Sequence, residues 1–203
     1  MEGILRPNIE DIPILCPYKN EMEFRCSNKQ SWQSKGDLYF AIRNSLKTIS
    51  LSHCNFCDGF PLNITSKETV EHYYPKKQYP EKVYEWGNLF YCCDKCQSLS
   101  NKIIFELTLK PDDLDYSFNR YFYFNPLDGE IKVKENLDLN NYEIANNYLK
   151  RYGINHSPER KQARIREYEQ HIHNFKTDYQ TQRNNYPFRF VFDSAFLTYN
   201  KIK

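Results

Sequence analysis

The sequence predicts an α+β fold built around a small core that a metal ion stabilises. Three observations lead to this prediction: two closely spaced cysteine pairs, two short β-type segments between them, and a helical repeat of apolar residues after the second pair. At 203 residues the chain is long enough to bury a hydrophobic core. We expect one domain with a helical extension.

The cysteine pairs are the strongest single feature. Each has the form C-x-x-C, and the four residues are Cys54, Cys57, Cys93 and Cys96. Four thiolates complete a tetrahedral zinc site, and a two-residue spacer lets both sulfurs of a pair reach one ion. We therefore predict a structural zinc. Two alternatives remain at this stage: four buried thiols without a metal, or a shift of register by one residue that makes Cys92 a ligand.

The segment between the pairs predicts two strands joined by a loop. The residues just before Glu71 and residues 89–91 are β-branched, aromatic or apolar, which is typical of strands. After Cys93 the pattern changes, and Leu99, Ile103, Ile104 and Leu107 follow a helical period. The predicted core is thus strand, loop, strand and helix.

Two adjacent residues in this core could carry out hydrolysis. His72 is the candidate general base, because an imidazole titrates near neutrality. Glu71 is the candidate ligand for Mg²⁺ or Mn²⁺, which prefer carboxylate oxygen. Adjacent side chains of a regular strand point to opposite faces, so the two residues can serve one site only at a strand end or a bulge. Pro75 favours a strand end.

This combination resembles the HNH endonuclease family, whose core is the ββα-metal fold. The resemblance rests on the Glu71-His72 pair, the turn from Trp86 to Leu89, and a C-x-x-C motif that opens a helix, and it covers roughly residues 51–107. Within that family the chain is most similar to the PtuB components of Septu and Septu-like retron anti-phage systems.

The resemblance also implies roles for three polar residues. Asn88 corresponds to a scaffolding residue whose amide holds the loop and orients the base. The family position on the helix after the last cysteine is usually His or Asn, and here it is Gln97. Asn101 lies four residues later on the same helical face, so Gln97 or Asn101 would be a second ligand of the catalytic metal.

The expected function is therefore a metal-dependent endonuclease with a structural Zn²⁺ and a catalytic Mg²⁺ or Mn²⁺. Its substrate would be DNA, or alternatively RNA. By resemblance it would be the effector of an anti-phage system and work with a PtuA-type ATPase. The alternative is a catalytically silent zinc module that binds nucleic acid or a partner, and the departure at Gln97 keeps that alternative open.

Charge adds little to this interpretation. The formal net charge is +2, far from the strongly basic balance typical of nucleic-acid binders. Three lysines of the inter-strand loop, Lys76, Lys77 and Lys82, are candidates for phosphate contacts. Four tyrosines lie among them: Tyr73, Tyr74, Tyr79 and Tyr84. These rings would either stack on bases or anchor the loop to the core.

We divide the chain into three segments. Residues 1–50 form an N-terminal arm, extended up to residue 35, and a lead-in helix over 38–49. Residues 51–110 contain the nuclease core and the zinc site. Residues 111–203 form a mostly helical extension that packs on the core.

Within this extension we predict a β-hairpin over residues 121–133 with its turn at Asp128-Gly129. Helices should follow over about 142–152 and about 158–179. The aromatic stretch 186–192 should pack on the domain or form a partner surface.

Cysteine usage and hydropathy predict a cytoplasmic protein. The seven cysteines are odd in number, and four have zinc spacing, which is typical of a reducing compartment. The sequence has no apolar run as long as a membrane span and no apolar N-terminal segment of the signal-peptide type. We expect no association with a membrane.

Overall fold

Two small antiparallel sheets and a set of helices make up the chain in the computed structural model, which describes residues 3–100, 107–172 and 182–202. Each sheet has two strands. The predicted α+β class is confirmed, as is a cluster of four buried cysteines.

The N-terminal segment contains a helix that the sequence analysis missed. Two short 3₁₀ turns, at Ile9–Asp11 and Cys16–Tyr18, lead into α1 (Lys19–Ser27). The prediction of an extended arm up to residue 35 was therefore wrong. Met22 is the one buried residue within α1, so the helix has almost no apolar repeat. An ion pair between Glu21 and Arg25 stabilises it instead.

The lead-in helix is confirmed. It is α2 (Asp37–Ile49), and it starts after Gly36, whose φ of 88° is in the left-handed region. Its buried side chains recur every three or four residues, which is the pattern that predicted it: Leu38, Ala41, Ile42, Ser45 and Leu46.

The predicted strand, loop, strand and helix order is also confirmed. A short helix, α3 (Leu62–Thr65), precedes β1 (Glu68–His72), which pairs with β2 (Leu89–Cys93) so that His72 faces Leu89. The next helix, α4 (Asp94–Ser100), follows β2 directly. Because β1 ends at His72, the Glu71-His72 pair lies at the strand end that a shared site requires.

The predicted length of α4 is only partly tested. Leu107, the last residue of the predicted apolar repeat, lies in a bend and not in a helix. Asn101, Ile103 and Ile104 lie outside the described residues.

The hairpin of the C-terminal segment is confirmed. After α5 (Phe118–Tyr121), β3 (Phe122–Asn125) pairs with β4 (Glu130–Val133). The turn between them contains Asp128 and Gly129, and Gly129 has a φ of 70°. A hydrogen bond of 2.9 Å from the Gly129 amide to the Asn125 carbonyl oxygen closes the turn.

Three longer helices follow within the described residues: α6 (Leu139–Arg151), α7 (Pro158–Ile172) and α8 (Arg189–Ile202). Helix α6 starts three residues earlier than predicted, because the Asp138 carboxylate accepts the Asn141 amide hydrogen as an N-cap. Ser157 caps α7 in the predicted way, since its hydroxyl accepts the Arg160 amide hydrogen. The predicted extension of α7 beyond Ile172 lies outside the described residues.

Contacts between aromatic side chains connect regions that are far apart in the sequence. Phe56 stacks on Tyr152, which directly follows α6, with a centroid distance of 3.8 Å, and the Tyr148 hydroxyl donates to the Phe56 carbonyl oxygen. Phe190 at the start of α8 is buried against Phe118, so the aromatic C-terminal stretch packs on the rest of the protein. The division into three segments stays a prediction, although all three contribute to one buried cluster.

None of the described helices combines the length and the apolar character needed to cross a membrane.

Candidate functional site

The four paired cysteines meet at one point. Cys54 and Cys57 lie in the loop after α2, Cys93 ends β2, and Cys96 is in the first turn of α4. All four are buried, and their sulfur atoms lie within 4.8 Å of one another. They could hold a metal such as zinc, as predicted.

One sulfur–sulfur distance matches the value for a tetrahedral site. Four sulfurs at about 2.3 Å from one ion would be about 3.8 Å apart, and Cys57 Sγ is 3.8 Å from Cys93 Sγ. The amide of Cys93 donates to Cys54 Sγ and the amide of Cys96 to Cys93 Sγ, each at 3.4 Å. Cys92 is outside this group, and its thiol faces the Cys93 carbonyl oxygen. The alternative register is therefore wrong.

Next to the cysteine cluster, β1 and α4 border a cleft of about 320 Å³. Nine residues line it: Glu71, His72, Pro75, Lys76, Lys77, Gln78, Gln97, Ser100 and Arg151. Three of the five residues assigned to the catalytic site from sequence are in this set. The fourth, Asn88, is not among the lining residues, and Asn101 is outside the described residues.

His72 is held in one tautomer. Its side chain is buried, and Nε2 lies 3.0 Å from the Val83 carbonyl oxygen. A carbonyl oxygen only accepts, so Nε2 carries the hydrogen and Nδ1 of the neutral ring has a lone pair. Burial, and then the charge of Lys76, lowers the pKa of His72 to about 3. The indole of Trp32 packs edge-on against the ring, with centroids 4.7 Å apart.

Glu71 is a buried carboxylate. It is 5% exposed, and burial raises its pKa to about 7, an effect that Ser100, Arg151 and Gln97 reduce. The Ser100 hydroxyl donates to Glu71 Oε1. Glu71 is therefore about half protonated at neutral pH when no metal is present.

Asn88 fixes the loop between the strands. It is fully buried, and Oδ1 accepts the Tyr74 amide hydrogen at 2.6 Å. Its Nδ2 donates to the carbonyl oxygens of Tyr74 and Lys82, at 3.2 and 2.8 Å. Lys82 directly precedes Val83, whose carbonyl oxygen bonds His72. Asn88 thus anchors the piece of backbone that orients the imidazole.

Gln97 lies beside Glu71, and its orientation is defined. Nε2 donates to the Val70 carbonyl oxygen at 2.8 Å, so Oε1 is the atom left to accept a hydrogen bond or contact a cation.

The tyrosines among the loop lysines divide into two groups. Tyr73 and Tyr84 are buried, and their hydroxyls donate to the carbonyl oxygens of Thr108 and Ser31. They anchor the loop. Tyr74 and Tyr79 are more exposed, and the ammonium of Lys82 lies 4.0 Å from the centroid of Tyr74.

Sequence reasoning missed three residues of this site: Trp32, Ser100 and Arg151. Trp32 comes from the loop before α2, and a single serine such as Ser100 carries no sequence signal. Arg151 had a usable signal, because it lies at helical spacing from the buried residues Ala145 and Tyr148. An arginine on an apolar helix face indicates a specific partner.

Among the described residues, the four cysteines form the one group of three or more Cys, His, Asp or Glu side chains arranged to hold a metal. No protein-family model matches the chain, and a search of curated proteins finds no match. Functional inference therefore rests on the residues and their geometry.

Proposed function

We propose that the protein is a metal-dependent endonuclease of the HNH family, with β1, β2 and α4 as its ββα-metal core. The order of elements and side chains supports this. Glu71 and His72 end the first strand, Asn88 precedes the second, and Gln97 is on the helix that follows. The substrate is a phosphodiester bond of nucleic acid, DNA being favoured over RNA.

The observation that carries the proposal is the hydrogen bond from His72 Nε2 to the Val83 carbonyl oxygen. It leaves Nδ1 with a lone pair, in a cleft that also contains a carboxylate. A neutral imidazole with one free lone pair is what a general base for water needs. A bound phosphodiester anion would raise the pKa of His72 toward neutrality and so strengthen the base.

In the proposed reaction, His72 Nδ1 takes a proton from a water molecule. The oxygen of that water bonds to phosphorus while the bond from phosphorus to the leaving sugar oxygen breaks. Asn88 keeps the imidazole oriented through the loop that ends at Val83, and Trp32 restricts rotation of the ring.

The donors of the cleft fit a hard divalent cation. Glu71 would hold Mg²⁺ or Mn²⁺, with Gln97 or Asn101 as the candidate second ligand. One carboxylate supplemented by water and substrate phosphate is a typical Mg²⁺ environment. When bound, the ion supplies positive charge that stabilises the negative charge growing on the phosphate.

The four cysteines would bind a structural Zn²⁺. Cys54 and Cys57 come from the loop after α2, whereas Cys93 and Cys96 border the junction of β2 and α4. A zinc ion there would hold the loop after α2 against the start of α4, the helix that carries Gln97.

We further propose that the enzyme is the cytoplasmic effector of an anti-phage system and acts with a PtuA-type ATPase. This part rests on the sequence resemblance. The near-neutral charge balance suits a nuclease that depends on a partner to bring it to its substrate, while Lys76 and Lys77 in the cleft supply local positive charge.

A catalytically silent zinc module is the second candidate. One observation favours it: Glu71 is the single carboxylate among the described residues that line the cleft. Gln97 replaces the His or Asn usual in the family, and an amide oxygen is a weaker ligand than an imidazole for many metals. Such a module would bind nucleic acid or the ATPase without cutting.

Cleavage assays distinguish the two candidates. Purified protein, alone and with a PtuA-type ATPase, is incubated with plasmid DNA or total tRNA in Mg²⁺ or Mn²⁺. We expect metal-dependent cutting by the wild type and none by His72→Ala, because the variant has no base for water.

The matched control is His156→Ala, which removes an exposed histidine outside the cleft and should cut like the wild type. Zinc content and melting temperature should be the same in both variants. If the wild type cuts nothing with any metal or partner, the silent module is the better account.

A further inference from the structure

An arginine from the C-terminal segment lies in the cleft of the predicted core. Arg151 ends α6 and is 3% exposed. It lines the same cleft as Glu71 and His72. None of the roles assigned above explains why a charged side chain is buried at this position.

The side chain of Arg151 is fixed in position, but not all of its hydrogen-bond donors have a partner. Its Nη2 donates to the carbonyl oxygen of Tyr73, the residue after His72. The guanidinium carbon lies 5.1 Å from the ring centroid of Tyr73 and 5.2 Å from that of Tyr152. Within the described parts of the chain, its buried Nε has no hydrogen-bond partner. The side chain is therefore fixed while part of its donor capacity is unused.

The charge of Arg151 is also incompletely compensated. No carboxylate in the described ranges forms an ion pair with it within 4.0 Å, although its charge favours the ionised form of Glu71. A buried cation without a close anion costs free energy. A site that keeps such a cation open to a cleft is suited to an anionic ligand.

We propose that Arg151 forms a phosphate-binding subsite with Lys76 at this cleft and contacts a phosphate oxygen of the nucleic acid. This inference rests on the proposed nuclease function and adds a substrate contact to it. A guanidinium presents a planar set of donors that matches phosphate. Bound phosphate would accept a hydrogen bond from the guanidinium where it lines the cleft and supply the missing negative charge. The subsite would make α6 part of the active centre.

Binding measurements test the subsite without catalysis. A short fluorescent DNA duplex is titrated with wild type, Arg151→Met and Arg166→Gln at several salt concentrations, without added divalent metal. Methionine keeps an apolar stem of similar length, and Arg166 is an exposed arginine of α7 that controls for loss of charge.

We expect Arg151→Met to bind about tenfold more weakly or worse. The slope of log affinity against log salt should decrease in magnitude by about 0.9, the value for one phosphate contact. Equal binding by Arg151→Met and Arg166→Gln would overturn the proposal.

A second measurement avoids the risk that Arg151→Met folds poorly. Proton–nitrogen NMR of the wild-type arginine side chains is followed during titration with a dinucleotide. We expect the Arg151 Nε–H resonance to shift. A stationary Arg151 resonance, while signals of other cleft residues shift, would overturn the subsite.

The measurements distinguish an incorrect subsite from an incorrect proposed function. If the wild type cuts DNA and Arg151→Met binds DNA normally, the subsite is wrong and the proposed function is not contradicted. A wild type that neither binds nor cuts nucleic acid contradicts both.

Discussion

Burial of the ionised Glu71 carboxylate destabilises the folded protein. Its carboxylate is buried, and its described hydrogen-bond partners in the cleft are uncharged. Its pKa is raised to about 7 by burial, whereas an exposed glutamate titrates near 4.5. A group that destabilises the free protein and faces a cleft is typical of a functional site.

This cost gives a stability prediction. Below pH 4.5 Glu71 is protonated in both the folded and the unfolded state. As the pH rises from 4.5 to 7, the unfolded state releases a proton that the folded state still binds, so wild-type stability falls until the folded state is also ionised. We expect Glu71→Gln, which does not titrate, to be more stable than wild type above pH 7 by on the order of 3 kcal/mol.

Urea unfolding at pH 5 and pH 8.5 without added divalent metal measures the difference. The control, Glu143→Gln, changes an exposed glutamate of α6 and should have little effect at either pH. A Glu71→Gln variant that is less stable than wild type at pH 8.5 would show that the carboxylate has a structural partner.

At the residue scale, proximity was predictable where the contacts are local. Glu71, His72 and Asn88 belong to one strand, loop and strand unit. Residues of such a local unit are expected to lie close together in space. Ser100 and Arg151 were not predictable in this way, because their contacts to Glu71 and Tyr73 depend on how α4 and α6 pack.

At the scale of elements, one buried ion pair connects α8 to the cysteine loop. Asp58 follows Cys57 and is fully buried. Its carboxylate accepts the backbone amide hydrogen of Arg189 at 2.6 Å and also bonds the guanidinium of that residue. The Phe188 amide donates to the Asp58 carbonyl oxygen. The start of α8 is thus tied to the loop that carries half of the cysteine cluster.

We expect Asp58→Ala to destabilise the protein by about 3 to 5 kcal/mol, because it leaves the buried Arg189 charge unpaired. The matched control is Asp115→Ala, which removes the partner of Arg120 in an exposed ion pair and should cost about 1 kcal/mol or less. Denaturant unfolding of the two variants gives the comparison. Equal effects would mean that the buried pair does not anchor α8.

Elements were predictable from sequence when their burial pattern was regular. Helix α2 and the hairpin of β3 and β4 have strong periodicity or a clear turn signal, and both were located within about one residue. Helix α1 has one buried residue, so its sequence contains no apolar repeat that would predict a helix. The start of α6 was predicted three residues too late. It is set by the N-cap hydrogen bond of Asp138 and not by the spacing of apolar residues.

At the scale of the whole molecule, the cysteine cluster connects separate parts of the core. Its ligands come from a loop and from the junction of β2 and α4, and all four are buried. Zinc binding to such sites contributes on the order of 10 kcal/mol in zinc-finger peptides, which is comparable to the total stability of a domain.

We therefore expect one zinc per chain and cooperative unfolding when a strong chelator removes it. Elemental analysis and circular dichroism during chelation measure both quantities. Cys57→Ser should lose zinc and melt at a much lower temperature, whereas Cys16→Ser, which changes an exposed cysteine, should behave like wild type. A zinc-free wild type with an unchanged melting temperature would contradict this role.

The packing between segments was the part least accessible from sequence. Phe56 contacts Tyr148 and Tyr152, and aromatic pairs so far apart along the chain leave no local pattern. The C-terminal segment was expected to pack on the core, but the sequence did not indicate that it brings Arg151 into the cleft.

The rate of nucleic-acid cleavage by His72→Ala relative to wild type, on one substrate under the same metal and partner conditions, tests the proposed nuclease activity. We expect a loss of at least about 100-fold, the contribution typical of a general base, with zinc content and melting temperature unchanged. Cleavage by His72→Ala at the wild-type rate would contradict it.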